Sequence, residues 1–173
     1  DLVMPDIQAG IVEDISDMAI GHLGKGLLLI HGLDEGGQPD LGIGGHDEMW
    51  FAARDLAFGK DAFPDVEPDD NIARPDTGER YLPEIDPAVE GIFSFLANLL
   101  IIEFRAELGF AETQQVLRTD DLFADRRAGA ELGAELIERI RIDEEIHVRS
   151  LKLYLGELRS ITLKTNDGGT VPG

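Results

Sequence analysis

The chain has 173 residues, 43% of them apolar, which is the composition of a soluble globular protein long enough for one real core. Acidic residues outnumber basic ones 35 to 15, and the formal charge of −20 argues against nucleic acid and against anionic membrane surfaces as partners. Cysteine is absent, which excludes disulfides, thiolate metal sites and cysteine nucleophiles, so any metal must be held by carboxylate and imidazole.

In chain order, residues 11–33 read as a first helix, because Val12, Ile15, Ala19, His22, Gly26 and Leu29 recur at helical spacing. Gly21, Gly24 and Gly26 weaken it by about 1 kcal/mol each relative to alanine, although small residues also allow close packing. Residues 34–45 are glycine-rich and read as a loop. A second helix is expected over 46–58, ending at Gly59. Residues 59–85 read as a long irregular crossover, acidic and interrupted by Pro64, Pro68, Pro75 and Pro83. Asp86-Pro87 is a strong helix start, with an acid at the N-cap and proline in the first helical position. The third helix then covers 86–117, and the fourth 126–159 after a short connection. Residues 161–171 look like a strand, a turn and a second strand, a short extended tail. The longest apolar run, 92–102, is broken by Ser94 and Asn98 and is too short to span a bilayer. No secretion signal is evident, and a cytoplasmic location without membrane contact is expected.

The pattern of short loop, long crossover and short loop predicts one all-α domain over 1–173. Two helical hairpins joined by a long crossover make a four-helix bundle. A plain up-down bundle would not need so long a connection between its second and third helices.

The chemistry sits on the long helices. Glu144 and His147 are three residues apart and share a helix side with Leu136, Ile140, Leu151, Tyr154, Leu155 and Leu158. A carboxylate and an imidazole therefore point where a core should be, and a buried carboxylate is costly unless a partner compensates it. Glu103 likewise lies among Leu96, Leu99, Leu100, Ala106 and Phe110. At about 1.5 Å per residue, Glu103 and Glu144 reach similar depth in an antiparallel hairpin. From the first hairpin, His22 and Glu48 are the candidate ligands, with His31 and His46 as substitutes; Trp50 reads as core. The bland alternative for each is a histidine or acid satisfied by an ordinary hydrogen bond or ion pair, such as Glu103 with Arg105 or Arg141.

The segment Leu99 to Glu107, followed by Asp143-Glu144-Glu145-Ile146-His147, resembles the second half of ferritin-like di-iron carboxylate proteins. That resemblance implies a ferritin-like bundle in which Glu103 bridges or flanks two metals, Glu144 bridges them and His147 is a terminal ligand. It implies two iron ions, with manganese as the alternative, and a non-haem oxidoreductase acting with O2 or peroxide on a small-molecule substrate. The same resemblance admits iron storage. The first half departs from the family pattern, since Phe51 and not histidine stands three residues after Glu48. That departure favours a metal-free interaction module as the third reading. A homodimer is compatible with each.

Overall fold

The computed structural model describes residues 6–63, 65 and 77–173. Most are helical. Four α-helices occur among the described residues: α1 (Leu27–Gly36), α2 (His46–Phe58), α3 (Pro87–Leu117) and α4 (Arg127–Ser160). The expected extended tail is a small antiparallel sheet of β1 (Thr162–Lys164) and β2 (Thr170–Pro172), with Leu163 paired to Val171. Of the expected crossover, residues 64 and 66–76 lie outside the described residues. The described residues form two compact units, one from residues 6–30, 77–102 and 147–173, the other from 31–63 and 103–146.

In the first unit, the single helix expected over 11–33 is absent. Ile11 instead bridges to Leu163, a 3-10 turn covers Ala19–His22, and α1 starts only at Leu27. The glycines decide this. The chain folds back so tightly that a Cβ on Gly21 would lie 2.1 Å from the Ile15 carbonyl oxygen. Of the expected helix side only Ile15 is buried, and Val12 is exposed; turns deliver Ile11, Ile20 and Leu23 to the core beside Ile15 instead. They pack with Ile85, Val89, Ile92, Leu96, Leu151, Tyr154 and Leu158. Two side chains of α4 tie the irregular N-terminal segment down. The Glu157 carboxylate accepts the Ala19 and Ile20 N–H groups at 3.1 and 2.7 Å, and the Tyr154 hydroxyl accepts the Leu28 N–H at 3.2 Å.

The start of α3 follows capping rules. Asp86 Oδ1 accepts the Ala88 N–H at 2.7 Å, and Pro87 opens the first turn. Glu90 is buried in that turn. Its carboxylate accepts the N–H groups of Tyr81 and Leu82 at 2.6 and 3.0 Å and pairs with the Arg80 guanidinium. Burial alone would push its pKa up; the backbone donors and Arg80 outweigh burial and hold it below the usual carboxylate range. By length and composition α3 is apolar enough to cross a membrane, which the broken run at 92–102 did not suggest, and only 28% of its most apolar window is buried.

The second unit is built on small residues. Ala53 and Ala57 of α2 meet Ala130 and Ala134 of α4, with Leu117, Phe123, Ile137 and Ile140 around them. A Cβ on Gly129 would lie 2.2 Å from the Leu56 carbonyl oxygen, and one on Gly133 would lie 3.0 Å from that of Ala53. These glycines let α2 and α4 approach backbone to backbone in antiparallel register. Trp50 is not core; it is 38% exposed and its ring stands 5.4 Å from that of Phe110.

Candidate metal centre

The close approach of α2 to α4 sets the site. His46, the first residue of α2, lies beside Asp143 and Glu144 of α4. His46 Nδ1 lies 3.2 Å from Glu144 Oε1 and 2.8 Å from Glu35 Oε1, and its Nε2 lies 3.4 Å from Asp143 Oδ2. Burial opposes charge on this imidazole. The carboxylates of Glu144 and Glu35 outweigh burial and raise its pKa from 6.5 to about 10. At neutral pH His46 is therefore an imidazolium, close to the carboxylates of Glu35, Asp143 and Glu144.

From α1, His31 and Glu35 are four residues apart and so stand on one side of the helix. His31 Nε2 and Glu103 Oε1 share a hydrogen bond of 3.1 Å. Glu103 is only 4% exposed. Burial, then a hydrogen bond and charge repulsion from Glu144, push its carboxyl up to about 10, with His46 pulling the other way.

Two donor groups result. His31, Glu35 and Glu103 each offer one ligand atom, and these atoms lie within 4.8 Å of one another; Glu35, His46 and Glu144 do the same. Glu35 belongs to both. Its side chain is 43% exposed, so the site opens to solvent on that side. The donors are carboxylate oxygens and imidazole nitrogens, which suit iron, manganese or zinc and not soft thiophilic metals.

Of the residues singled out in the sequence, Glu103 and Glu144 stand together here. His147 follows Glu144 by three residues on the same uninterrupted helix and is 2% exposed; its carbonyl accepts the Ser150 hydroxyl at 2.9 Å. His22 is a correction: it is exposed on a 3-10 turn of the first unit and belongs to neither donor group, because the helix meant to carry it does not form. Glu48 is a second correction. It is exposed in the first turn of α2, since residues two apart point to different helix sides and His46 takes the buried one. The ion pair expected between Glu103 and an arginine is not the arrangement either. Arg141 instead forks onto Glu138 at 2.8 and 2.9 Å and reaches Glu107 at 3.7 Å.

Sequence reading missed Glu35 and gave His31 and His46 only as substitutes. The signal was His31-x-x-x-Glu35, a four-residue spacing on one helix side, which ending the first helix at 33 cut in two. No family model, curated protein or solved structure matches the chain.

Proposed function

We propose that the protein is a ferritin-like helical oxidoreductase whose chemistry is carried by two iron or manganese ions held on α1, α2, α3 and α4. The observation that carries this reading is the sharing of Glu35 between two donor groups, each completed by one imidazole and one buried carboxylate. A carboxylate shared by two donor groups would let Glu35 hold both ions of a two-metal site. His31 and Glu103 would hold one ion, His46 and Glu144 the other. His147 stands one turn beyond Glu144 on its side of α4.

When bound, two redox-active ions together supply two electrons, enough to reduce dioxygen or peroxide. The side chains do the rest. The carboxyl of Glu103 and the imidazolium of His46 must lose their protons for ions to bind, so loading releases protons. The half-exposed Glu35 gives ions and small oxidants a way in, while Glu103 and Glu144, both buried, keep bulk water from the other side. Asp143, beside His46 Nε2, is placed to accept a proton from that ring and to orient it.

The test is metal content after anaerobic loading with Fe(II), followed by O2 consumption. Two equivalents per chain are expected, falling to one or none in His46→Ala and in Glu144→Gln. Full metal content in both variants, or none in the parent protein under generous supply, would sink the proposal. Metal binding without O2 or peroxide turnover would leave a metal-binding protein and remove the oxidoreductase.

A further inference from the structure

Residues 36–45 separate Glu35 of α1 from His46, the first residue of α2, yet Glu35 Oε1 lies 2.8 Å from His46 Nδ1. The connection is closed by its own backbone. The Gln38 N–H donates to the Ile43 carbonyl at 2.7 Å, the Ile43 N–H donates back to the Gln38 carbonyl at 3.2 Å, and a 3-10 turn at Pro39–Leu41 lies between them. The tip stands in solvent, with Leu41 70% and Ile43 50% exposed. The base does not. Gly45 is buried, and there the two limbs cross in backbone contact. A Cβ on Gly45 would lie 2.2 Å from the Glu35 carbonyl oxygen and 2.8 Å from the Gly37 nitrogen; one on Gly37 would lie 2.5 Å from the Gly45 nitrogen. These neighbours are all main chain, so no flexible side chain can swing aside to make room.

The two glycines serve the crossing in different ways. Gly37 has φ +67°, which glycine adopts without steric cost, and it ends α1 in the usual left-handed manner. Gly45 needs no special conformation: its φ of −84° and ψ of −174° suit any residue. It is the N-cap of α2, where Ser, Thr, Asp or Asn would supply a side-chain acceptor. That cap bond is absent. The helix gives it up at a position where any side chain would push the Glu35 backbone away. A loop that only joined two helices could swing outward and keep the cap.

We infer that the crossing of Gly37 and Gly45 is the positioning device that makes Glu35 a shared ligand, with Gly45 as its critical residue. The inference rests on the two-ion reading. His31 and Glu35 travel together on α1, while His46 starts α2. The crossing fixes the offset between those helix ends directly beside Glu35 and His46. Closed, it lets Glu35 belong to both donor groups. Open, it leaves Glu35 with His31 and Glu103, and the other group keeps only His46 and Glu144. The loop therefore decides between one ion and two.

The test is Mn(II) titration of the chelator-stripped full chain, read by EPR. The parent should bind two equivalents with the hyperfine pattern of a coupled pair, because ions that share a carboxylate are close. Gly45→Ala should keep its helix content and bind the first equivalent as the parent does. Its second equivalent should weaken about tenfold or more, and the coupled pattern should give way to that of isolated ions. Ile43→Pro removes one loop hydrogen bond at an exposed position and should act in the same direction by less. Should Gly45→Ala not fold, Ile43→Pro decides alone. Gly36→Ala and Leu41→Ser should match the parent, since a Cβ on Gly36 meets nothing within 4 Å and Leu41 is exposed. NMR of the metal-free chain separates the loop from the metal reading: a Gly37 Hα to Gly45 N–H NOE should be present in the parent and lost in Gly45→Ala. Absence of that NOE from the parent, equal weakening of both equivalents in Gly45→Ala, or a coupled pair kept at full affinity in both loop variants would overturn the inference. A parent that shows the NOE but binds fewer than two ions would overturn it through the two-ion reading instead.

Discussion

The two units are stabilised in different ways. The first has a core of large aliphatic side chains, from Ile11 and Ile20 to Leu96, Leu151 and Leu158, all nearly inaccessible. Its one deeply set acid, Glu90, is satisfied by backbone N–H groups and an arginine. The second has a core in which four alanines share the space with Leu117, Phe123, Ile137 and Ile140, and it holds ionisable groups against one another: His31, His46, Glu103 and Glu144. Glu90 and Glu103 are similarly buried by exposure, yet their pKa values move in opposite directions. The difference is in the neighbours. Backbone donors and an arginine surround Glu90; Glu103 has His31 at hydrogen-bond distance but also the acids Glu144 and Glu35 nearby. A fold that only needed stability would not build the second arrangement, because an unneutralised buried acid costs free energy that its neighbours must offset.

The contrast can be broken from either side. The largest effect is expected from Leu96→Ala in the first unit. It removes a fully buried side chain and should cost about 2–5 kcal/mol in chemical denaturation. Metal content per folded chain should stay unchanged; loss of metal in this variant would mean that the aliphatic core shapes the site as well. Gly129→Val should cost about 1–3 kcal/mol by forcing α2 off α4. Despite its smaller cost it should abolish metal binding, because His46 loses its register with Glu144. Retention of both equivalents would show that backbone contact at Leu56 is not what positions the site.

The pH dependence sharpens the same contrast. Glu103 and His46 both bind protons more tightly folded than unfolded, with ordinary values of 4.5 and 6.5 and folded values of about 10. Their contribution to the stability of the metal-free protein is therefore complete below pH 4.5 and is lost as pH rises toward 10. Thermal midpoints in chelator should fall over that window, and the midpoint gain from Mn(II) should grow, since ions bind the deprotonated groups. A chelated protein whose midpoint rises steadily from pH 6 to 9 would refute the assignment. The smallest effect is expected from Asp86→Ala at the start of α3, about 1 kcal/mol of stability, with no change in metal content.

Legibility in the sequence divided along similar physical lines. Helix α2 spans His46–Phe58 and α3 Pro87–Leu117, against expectations of 46–58 and 86–117, because capping residues, proline and terminal glycine act within a few residues of where they stand. The acid positions on the long helices were legible for the same reason. Once α3 and α4 form, a 3.6-residue repeat fixes which side Glu103, Glu144 and His147 occupy. The N-terminal segment was not legible. Its apolar residues keep helical spacing, but three glycines within six residues removed the preference for helix, and packing against the C-terminal strand chose turns. That choice exposed His22, moved α1 toward its C-terminal end and brought Glu35 into the helix with His31. Glu48 was misread at a helix start, where one residue of register exchanges a buried side for a solvated one.

By itself the sequence determined that this chain makes two long helices, each with acids on an apolar side, and that only oxygen and nitrogen ligands are on offer. Those properties follow from local periodicity and from residue types, which need no knowledge of what lies opposite. Only the tertiary structure decided which partners meet Glu103 and Glu144. His31 lies 72 residues from Glu103, and His46 lies 97 from Asp143. Nothing local couples positions so far apart. Their meeting depends on how closely two backbones can approach at Gly129 and Gly133, and on where a glycine-rich segment yields to packing.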